Sequence, residues 1–583
     1  MSRDFYHDFL AELKAVDDFL ARRTGNAAYV PREDPDVRRL IESIAFFSAR
    51  TRQAASDQLR RSMLQLARGQ LDDFLTPQPA RGLVQALPDG LAGDVAPLPA
   101  GTLLRLSAPH GPTEYRTSAH SDLGLFATMA DVTLRPLQID LAERQLRSGS
   151  GFRLVIRIRA RREVEHVAEP LAIHVSYLND YEASLRFHYA LRRHLLLEGV
   201  SVFYGDAPEP SRPGAPCQIS FGSAPRAQAE PGTGSRIEQL RSFFHFPAKE
   251  LCFNVSLPRP AAAWRQAWLC LDLDEEWPDE LVVNKDVFRL FVIPIENLVR
   301  DAAAPIKADG TRSRFSIAPV DLSKGYVLHS VIGVFQESPA GREPILPIHL
   351  AGGGDPSYDI EQLDEGEGGG DDAEASGAGL DPRSQDEDAD EDVGPSYADL
   401  VVRMPGAFTA PRLISVDARW YQPGFDRVAV GKLEVKLQKR HLNGVELRLL
   451  GVLVPHRPST LGRDPAAMLH VLSRRASRVL DRADLVSLMT QLGADADSHH
   501  AGLDAELLEV EAREEPADLR GGGLRQVYQI TIGDIDEDRL GLMEDYLRCI
   551  QLLLDAWRAN PVRLEVRRRI SGARPLLMIG SGT

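Results

Sequence analysis

The side chains best suited to chemistry are two adjacent histidines, His499 and His500, in the polar stretch ADADSHHAGLD. Asp495 and Asp497 lie close to them in sequence, and imidazole and carboxylate groups are common metal ligands. However, adjacent side chains in an exposed loop do not readily converge on one ion, and the sequence contains no HExxH or HxxxH pair on a helix. The sequence therefore predicts no metal ion here.

A second candidate is DIDEDRLGLMED, residues 534–545, which resembles a calcium-binding loop. Carboxylates stand at positions 1, 3, 5 and 12 of that loop: Asp534, Asp536, Asp538 and Asp545. Arg539 occupies position 6, where the sharp turn needs glycine, and Asp545 is shorter than the usual Glu. The residues that follow have helical periodicity, so we interpret the acids as a helix N-terminus, where negative charge is stabilising. A calcium-dependent binding protein remains the third hypothesis.

Other catalytic patterns are absent from the sequence. There is no G-x-S-x-G elbow, no P-loop and no G-x-G-x-x-G after a strand. The four cysteines are far apart and form no CxxC pair, which favours a reducing compartment and argues against structural zinc. We therefore predict a protein that is not an enzyme, with no catalytic residue, no cofactor and no bound metal.

The net charge of −16 is concentrated in one segment. Residues 355–392 contain sixteen Asp or Glu and one Arg, so the rest of the chain is close to neutral. The most basic stretches, residues 153–162 and 562–570, alternate apolar and basic residues as half-exposed strands do. A nucleic-acid partner is therefore not expected.

The elements that would have to position any site begin with two amphipathic helices. The first has an apolar stripe, and the second starts at Asp34–Pro35, an N-cap followed by proline. The stripe of the first helix is Phe5, Phe9, Leu13, Val16 and Leu20, and that of the second is Val37, Leu40, Ile41, Ile44 and Phe47. Neither helix can bury its stripe alone, so each must pack on the other, on the rest of the chain or on another subunit.

The remainder of the chain predicts an α+β multidomain protein, with the N-terminal helical segment followed by several mostly antiparallel, β-rich domains and scattered helices. We expect helices at 180–198 and 465–492, and a strand, helix and strand over 524–570. The predicted domains are 1–78 (helical), 79–345 (β-rich, two subdomains), 346–396 (acidic linker without fixed structure) and 397–583 (α+β). No stretch is long and apolar enough to span a membrane, and acids near the N-terminus exclude a signal peptide, so a cytoplasmic protein is expected.

Three segments, in order, carry a resemblance to the TssF family of type VI secretion systems. The first, DPDVRRLIESIAFFSARTR, is similar to the family's N-terminal helix, which begins with an acid and a proline. The other two are IEQLRSFFHFPAKELCFNVSL (237–257) and FRLFVIPIENLVRDAAAPIKADGTRSRFSIAPV (288–320). Their matching positions include Asp34, Pro35, Arg39, Glu42, Phe46, Arg50, Phe244, Phe246, Pro247, Pro294, Asn297 and Pro305.

The resemblance implies a structural baseplate subunit without an active site. Two TssF copies would join one TssG in a wedge that binds TssK, with TssE, the contractile sheath and the central spike hub nearby. The protein would be recruited to the inner-membrane complex through the baseplate, without inserting into the membrane itself. Alternatives are a wedge component of another phage-tail-like contractile device and an unrecognised multidomain hydrolase.

The same resemblance gives a role to the two helical stripes. Phe5, Phe9, Leu13, Val37, Leu40, Ile41, Ile44 and Phe47 would face a partner chain in a helical bundle, and burial within the subunit itself is the alternative. We expect Phe243, Phe246 and Phe253 to be core residues rather than contact residues. Pro294, Asn297 and Pro305 are expected to shape a turn or a strand edge.

Overall fold

The computed structural model of this chain describes most of its length. The described residues are 3–23, 35–67, 70–88, 90–91, 93–107, 124–147, 150–205, 207–208, 214–222, 235–322, 325–339, 341–352, 354–362, 398–405, 411–422, 433–438, 444–459, 461, 464–516, 524–558, 560–569 and 578–579. Among the helices of these residues, none is both long and apolar enough to cross a membrane.

The α-helices of the described chain are α1 (Arg3–Arg23), α2 (Pro35–Ala67), α3 (Asp72–Leu75), α4 (Tyr181–His194), α5 (Arg236–His245), α6 (Pro465–Ala476), α7 (Arg482–Leu492) and α8 (Leu540–Trp557). The strands up to residue 273 are β1 (Arg81–Leu87), β2 (Ala96–Leu98), β3 (Leu103–Ser107), β4 (Gly124–Thr128), β5 (Val132–Leu134), β6 (Leu137–Leu146), β7 (Phe152–Val164), β8 (Leu171–Val175), β9 (Leu195–Tyr204), β10 (Ala215–Pro216), β11 (Gln218–Phe221), β12 (Cys252–Ser256) and β13 (Trp264–Leu273). The later strands are β14 (Phe288–Leu290), β15 (Val292–Glu296), β16 (Val299–Ala302), β17 (Ile306–Ala308), β18 (Arg314–Ser316), β19 (Val327–Ser338), β20 (Gly341–Pro347), β21 (Ser357–Gln362), β22 (Ala398–Arg403), β23 (Arg412–Tyr421), β24 (Glu434–Leu437), β25 (Glu446–Val454), β26 (Leu507–Pro516), β27 (Leu524–Ile532), β28 (Val562–Arg568) and β29 (Met578–Ile579).

The first two helices form a helical hairpin. Glu12 of α1 accepts hydrogen bonds from Ser48 (3.0 Å) and Arg52 (3.2 Å) of α2, which places the middles of the two helices side by side. Ala45 and Ala49 of α2 are fully buried, since small side chains let two helices approach closely. The apolar stripes predicted from the sequence thus belong to two helices that pack on each other.

A closed antiparallel barrel follows, and two smaller sheets share its hydrophobic core. The barrel order is β1, β15, β4, β3, β24, β25, and the two sheets are β10-β9-β13-β7-β6 and β11-β12-β8-β14. In β7 the residues Leu154, Ile156 and Ile158 are fully buried, as their alternation predicts. Arg153 and Arg157 pair with Asp272 (2.6 Å) and Asp140 (2.7 Å), so the basic face of this strand is neutralised within the protein.

An eight-stranded sheet builds a separate core around Trp420. Its order is β16-β23-β19-β20-β21-β22-β18, with β17 also paired to β23. Strand β21 pairs with β22, and β19 pairs with β23, so the sheet joins residues on both sides of the acidic segment. Of the predicted linker at 346–396, residues Ser357–Gln362 form a strand of this sheet and so have a defined structure; residues 363–397 are outside the described part.

The C-terminal region packs α5, α6, α7 and α8 against the sheet β26-β27-β28-β29. Strands β27 and β28 are parallel and joined through α8, which confirms the predicted strand, helix and strand. The helix predicted at 180–198 was too long: α4 ends at His194, because Leu195 begins a strand that pairs with Leu273. The predicted α+β multidomain class is confirmed.

Candidate partner-binding surface

Three large apolar side chains on α2 are exposed in a line. Leu40, Ile44 and Phe47 are 63%, 50% and 67% exposed and recur at intervals of four and three residues. This spacing puts them on one face of the helix. We call these three residues the seam. Side chains of this size in a row on a helix surface are typical of a face that binds another chain.

The other residues predicted to face a partner divide into two groups. Phe9, Leu13, Val37 and Ile41 are half-buried in the hairpin, so they contribute to the contact between α1 and α2. Phe5 lies in α1, but its side chain is outside the described part, and Asp34, the predicted N-cap, is also outside it. The seam is therefore the part of the predicted set that is accessible to another protein.

Further exposed apolar residues on the hairpin were not singled out from the sequence. They are Tyr6 (54% exposed), Leu10 (44%), Phe19 (58%) and Leu59 (54%). The interval of four between Tyr6 and Leu10 is a helical spacing and is the sequence signal that could have found them. Tyr6, Leu10 and Phe19 enlarge the apolar area of the hairpin on α1, and Leu59 enlarges it on α2.

Residues 73–81 connect the hairpin to the barrel and are held by distant parts of the chain; we call them the anchor segment. Arg241 of α5 donates from its guanidinium to the carbonyl oxygens of Asp73 and of Thr76, the latter at 2.6 Å. His245, on the same helix, contacts the carbonyl oxygen of Pro79 through Nε2 at 2.8 Å. The C-terminal core therefore binds the anchor segment through helix α5.

The other two cores also bind the anchor segment. His329 contacts the carbonyl oxygen of Pro77 through Nε2 at 3.0 Å, and it is the extra residue of a β-bulge in β19 that aims its side chain. The backbone groups of Gln78 and Arg457 exchange hydrogen bonds of 2.8 and 2.9 Å. The position of the hairpin is thus fixed by parts of the chain that are far apart in sequence.

Burial controls the protonation of the histidines around the anchor segment. Burial lowers the pKa of His245 and of His329 to about 3, and the nearby Arg81 guanidinium contributes to the shift of His245. Both rings are therefore neutral at pH 7. Since a carbonyl oxygen only accepts, each ring must carry its proton on Nε2 to donate to the anchor segment.

Two buried arginines complete the anchor. Arg81 is 5% exposed; its Nη1 donates to Ser242 (2.9 Å) and Gln78 (3.3 Å), and its Nη2 lies 3.4 Å from Glu296. Desolvation lowers the pKa of Arg241 to about 10, so this side chain stays charged at pH 7. Charged donors make strong hydrogen bonds, which suits a segment rich in carbonyl acceptors.

The family-motif residues outside the hairpin lie at positions that shape the fold. Phe244 and Phe246 are buried, and Pro247 begins a short 3-10 helix, Pro247–Glu250. Pro294 lies in β15 opposite Leu83, and Pro305 lies between β16 and β17. None of these residues lies on the hairpin.

The motif residues of α2 flank the seam or the hairpin contact. Pro35 is the first residue of the helix, and Arg39 and Arg50 are exposed. Glu42 pairs with Arg38 at 3.1 Å, and the ring of Phe46 lies 6.0 Å from that of Phe47.

The histidine pair does not form a metal site in the described structure. His500 is buried between Phe243 and Phe244, and burial lowers its pKa to about 4. His499 is half-exposed and lies over the ring of Tyr181 at 4.2 Å. Within the described residues, no group of three or more His, Cys, Asp or Glu side chains is placed to hold a metal ion.

The calcium-loop pattern is likewise dispersed. Asp534 pairs with Arg568 at 3.3 Å, and Asp538 pairs with Arg186 at 3.0 Å. Asp545 lies within α8, where burial raises its pKa to about 6. These carboxylates are used in separate contacts within the fold.

Nucleophilic chemistry has little support from the cysteines. All four thiols are free, and three of them are buried. Desolvation raises the pKa of Cys217 to about 11 and that of Cys252 and Cys270 to about 12, so these thiols stay protonated at pH 7. A thiolate nucleophile needs the opposite shift.

An open cleft of about 740 Å³ lies at one end of the eight-stranded sheet. Arg312, Asp355 and Arg403 line it together with glycines, hydroxyls and apolar side chains, and no histidine or cysteine of the described chain does. The described lining therefore offers no histidine base and no thiol nucleophile.

Comparison with known proteins gives a consistent result. The family described as "Type VI secretion system, TssF" matches residues 20–358, more than half of the chain. A solved structure of the type VI secretion system TssK-TssF-TssG baseplate subcomplex has a chain that is 16% identical, with a TM-score of 0.68, and the match covers 93% of this chain and 99% of that one. A chain in a structure of the baseplate complex from the type VI secretion system is also 16% identical, with a TM-score of 0.56 and coverage of 97% and 96%. No curated protein matches the sequence.

Proposed function

Because this chain belongs to the TssF family of the type VI secretion system, we propose that it is a structural baseplate subunit whose helical hairpin binds another protein through the seam. The observation that carries the proposal is the exposure of Leu40, Ile44 and Phe47 in a line on a helix. Three such side chains lose unfavourable contact with water when a second helix covers them.

The partner in this proposal is a TssG-like subunit, with two copies of this chain for each copy of the partner. Support comes from a solved relative of the same fold, which is part of a TssK-TssF-TssG baseplate subcomplex. TssK is then the next partner, and TssE, the sheath and the spike hub are neighbours. Recruitment from the cytoplasm to the inner membrane occurs through these partners.

A baseplate subunit of this kind needs no active site. The dispersed carboxylates, the raised pKa values of the thiols and the open cleft, whose described lining has no histidine or cysteine, support that reading. The family assignment also favours a type VI secretion system over the other contractile devices considered from the sequence.

The proposal is tested by co-expression with the TssG-like protein of the same genome and native mass spectrometry of the purified complex. We expect a complex of two copies to one, and we expect Ile44→Asp combined with Phe47→Asp to abolish it. Leu146→Asp is the matched control, since Leu146 is 84% exposed but lies at the end of β6. A complex that survives the double substitution, or a chain that ignores the partner, would overturn the proposal.

A further inference from the structure

The seam has a charged border on one side. Successive residues of an α-helix are about 100° apart around its axis. The fully buried Ala45 and Ala49 mark the side of α2 that faces α1. Arg39 and Arg50 fall on the other side of the seam, and both side chains are exposed. We call these two arginines the basic flank.

The other arginines in this half of α2 are already engaged. Arg38 lies on the opposite face and pairs with Glu42 at 3.1 Å, and Arg52 pairs with Glu12 of α1 at 3.2 Å. Arg39 lies 3.5 Å from Asp36, but both side chains are largely exposed (79% and 88%), so solvent weakens that contact. The basic flank is therefore available to charges on a second protein.

We propose that the seam is covered by an amphipathic α-helix of another chain, whose apolar face packs on Leu40, Ile44 and Phe47 and whose edge carries Asp or Glu opposite Arg39 and Arg50. This inference rests on the proposed function and specifies the chemistry of the partner. Charges that border an apolar helix seam select the partner and fix its orientation, because opposite charges attract and like charges repel across the contact.

The same charges disfavour a second copy of this chain as the occupant. A copy that bound through its own seam would present Arg39 and Arg50 where the basic flank needs carboxylates. The apolar contact alone does not distinguish a second copy of this chain from a helix of another protein. The charges that border the seam do distinguish them.

The test uses the full chain and two synthetic amphipathic helices of about 21 residues, three heptads each, with the same leucine seam. One carries Glu along its edge and the other carries Lys. At low salt we expect the Glu helix to bind roughly tenfold more tightly than the Lys helix, as measured by fluorescence anisotropy. The preference should shrink as salt screens the charges.

Charge reversal in the chain provides the decisive comparison. The preference should invert when Arg39→Glu is combined with Arg50→Glu, whereas Arg38→Glu, on the opposite face of the same helix, should leave it unchanged. Equal binding of the two helices, binding of neither, or a preference that the double reversal does not alter would each overturn the inference.

Failure of the inference is distinguishable from failure of the proposed function. If Ile44→Asp abolishes the complex with the TssG-like subunit but the charge reversals do not affect the peptides, the seam is used and the basic flank is not. If sedimentation shows that the chain forms a dimer that Ile44→Asp abolishes, a second copy is the occupant and the inference is wrong.

Discussion

The side-chain amide of Asn297 donates to the carbonyl oxygen of Leu125 at 2.8 Å, although the two residues are 172 positions apart. The oxygen of the same amide accepts from the backbone N–H of Gln422 at 2.7 Å, and the side chain of Gln422 accepts from the N–H of Leu125 at 2.9 Å. The three residues form a closed ring of hydrogen bonds between the barrel and the eight-stranded sheet. One amide of the family motif thus joins two cores.

Replacement of Asn297 by Ala should destabilise the body of the protein. It removes the donor to the Leu125 carbonyl and the side-chain acceptor of the Gln422 N–H at a position where Asn297 is 2% exposed, and the loss of such buried hydrogen bonds costs about 1–3 kcal/mol. The measurement is the free energy of unfolding in urea. Gln145→Ala, which removes an exposed amide of β6, is the control and should change it by less than about 0.5 kcal/mol. A loss no larger than that of the control would contradict the role of the ring.

Stability should fall in mild acid. Burial lowers the pKa of six histidines to about 3 or 4: His174, His188, His245, His329, His456 and His500. Because their pKa in the unfolded chain is about 6.5, the unfolded state binds more protons between pH 6.5 and 4. The neutral histidines contribute fully to stability above pH 6.5. As the pH falls from 6.5 to 5.5, each of them lowers the free energy of unfolding by about 1 kcal/mol.

The pH effect is measured as the urea midpoint across pH 5.5–7.5. Asp545 and Asp399 act in the opposite direction, since a raised carboxyl pKa favours the folded state as the pH falls, but they are two groups against six. Substitution of His329 by Gln, which retains an amide N–H donor, should reduce the slope. A midpoint that is independent of pH would contradict the neutral, buried state of these rings.

Loss of the Arg241 guanidinium should loosen the anchor segment before it unfolds the body. Arg241→Ala frees the carbonyl oxygens of Asp73 and Thr76, so amide hydrogen exchange over residues 73–81 should increase. Arg236→Ala is the matched control, because Arg236 is exposed at the start of the same helix. If amide hydrogen exchange over residues 73–81 is unchanged in Arg241→Ala, the other hydrogen bonds to the anchor segment are sufficient to hold it.

A larger side chain at Ala49 should separate the two helices of the hairpin. Ala49 is fully buried, and overpacking by Leu costs about 1–3 kcal/mol. We expect faster hydrogen exchange in α1 with unchanged exchange in the barrel. Ala54→Leu, at an exposed position of α2, should have no such effect. Equal protection of α1 in both variants would place Ala49 outside the contact.

The sequence predicted the elements whose cause is local. The stripe of Leu40, Ile44 and Phe47 repeats at helical spacing, and the alternation of Leu154 and Ile156 with arginines predicts a strand, so both elements formed as expected. The exposure of the seam could not be predicted in the same way, since an apolar residue at helical spacing faces either the protein's own core or a partner.

The anchor segment was not predicted because its partners are distant. Nothing in the stretch TPQPAR indicates that His245 and His329 will bind its carbonyl oxygens, and the bulge that aims His329 arises only when β19 pairs with β23. The barrel was not predicted from the sequence for the same reason. Its strands β24 and β25 come from a part of the chain that the sequence pattern assigned to a separate C-terminal domain.

Helix α2 is a long lever whose pivot is the contact of its last turns with the C-terminal core. Met63, Leu64 and Ala67 pack on the C-terminal core, and the seam lies towards the other end of this 33-residue helix. From Met63 to Leu40 the helix axis extends about 35 Å at 1.5 Å per residue, so a tilt of about 10° at the pivot would displace Leu40 by about 6 Å. That displacement exceeds the width of a side chain. The angular stiffness of the contact that Met63, Leu64 and Ala67 make with the C-terminal core therefore sets how accurately a bound partner is held about 35 Å away.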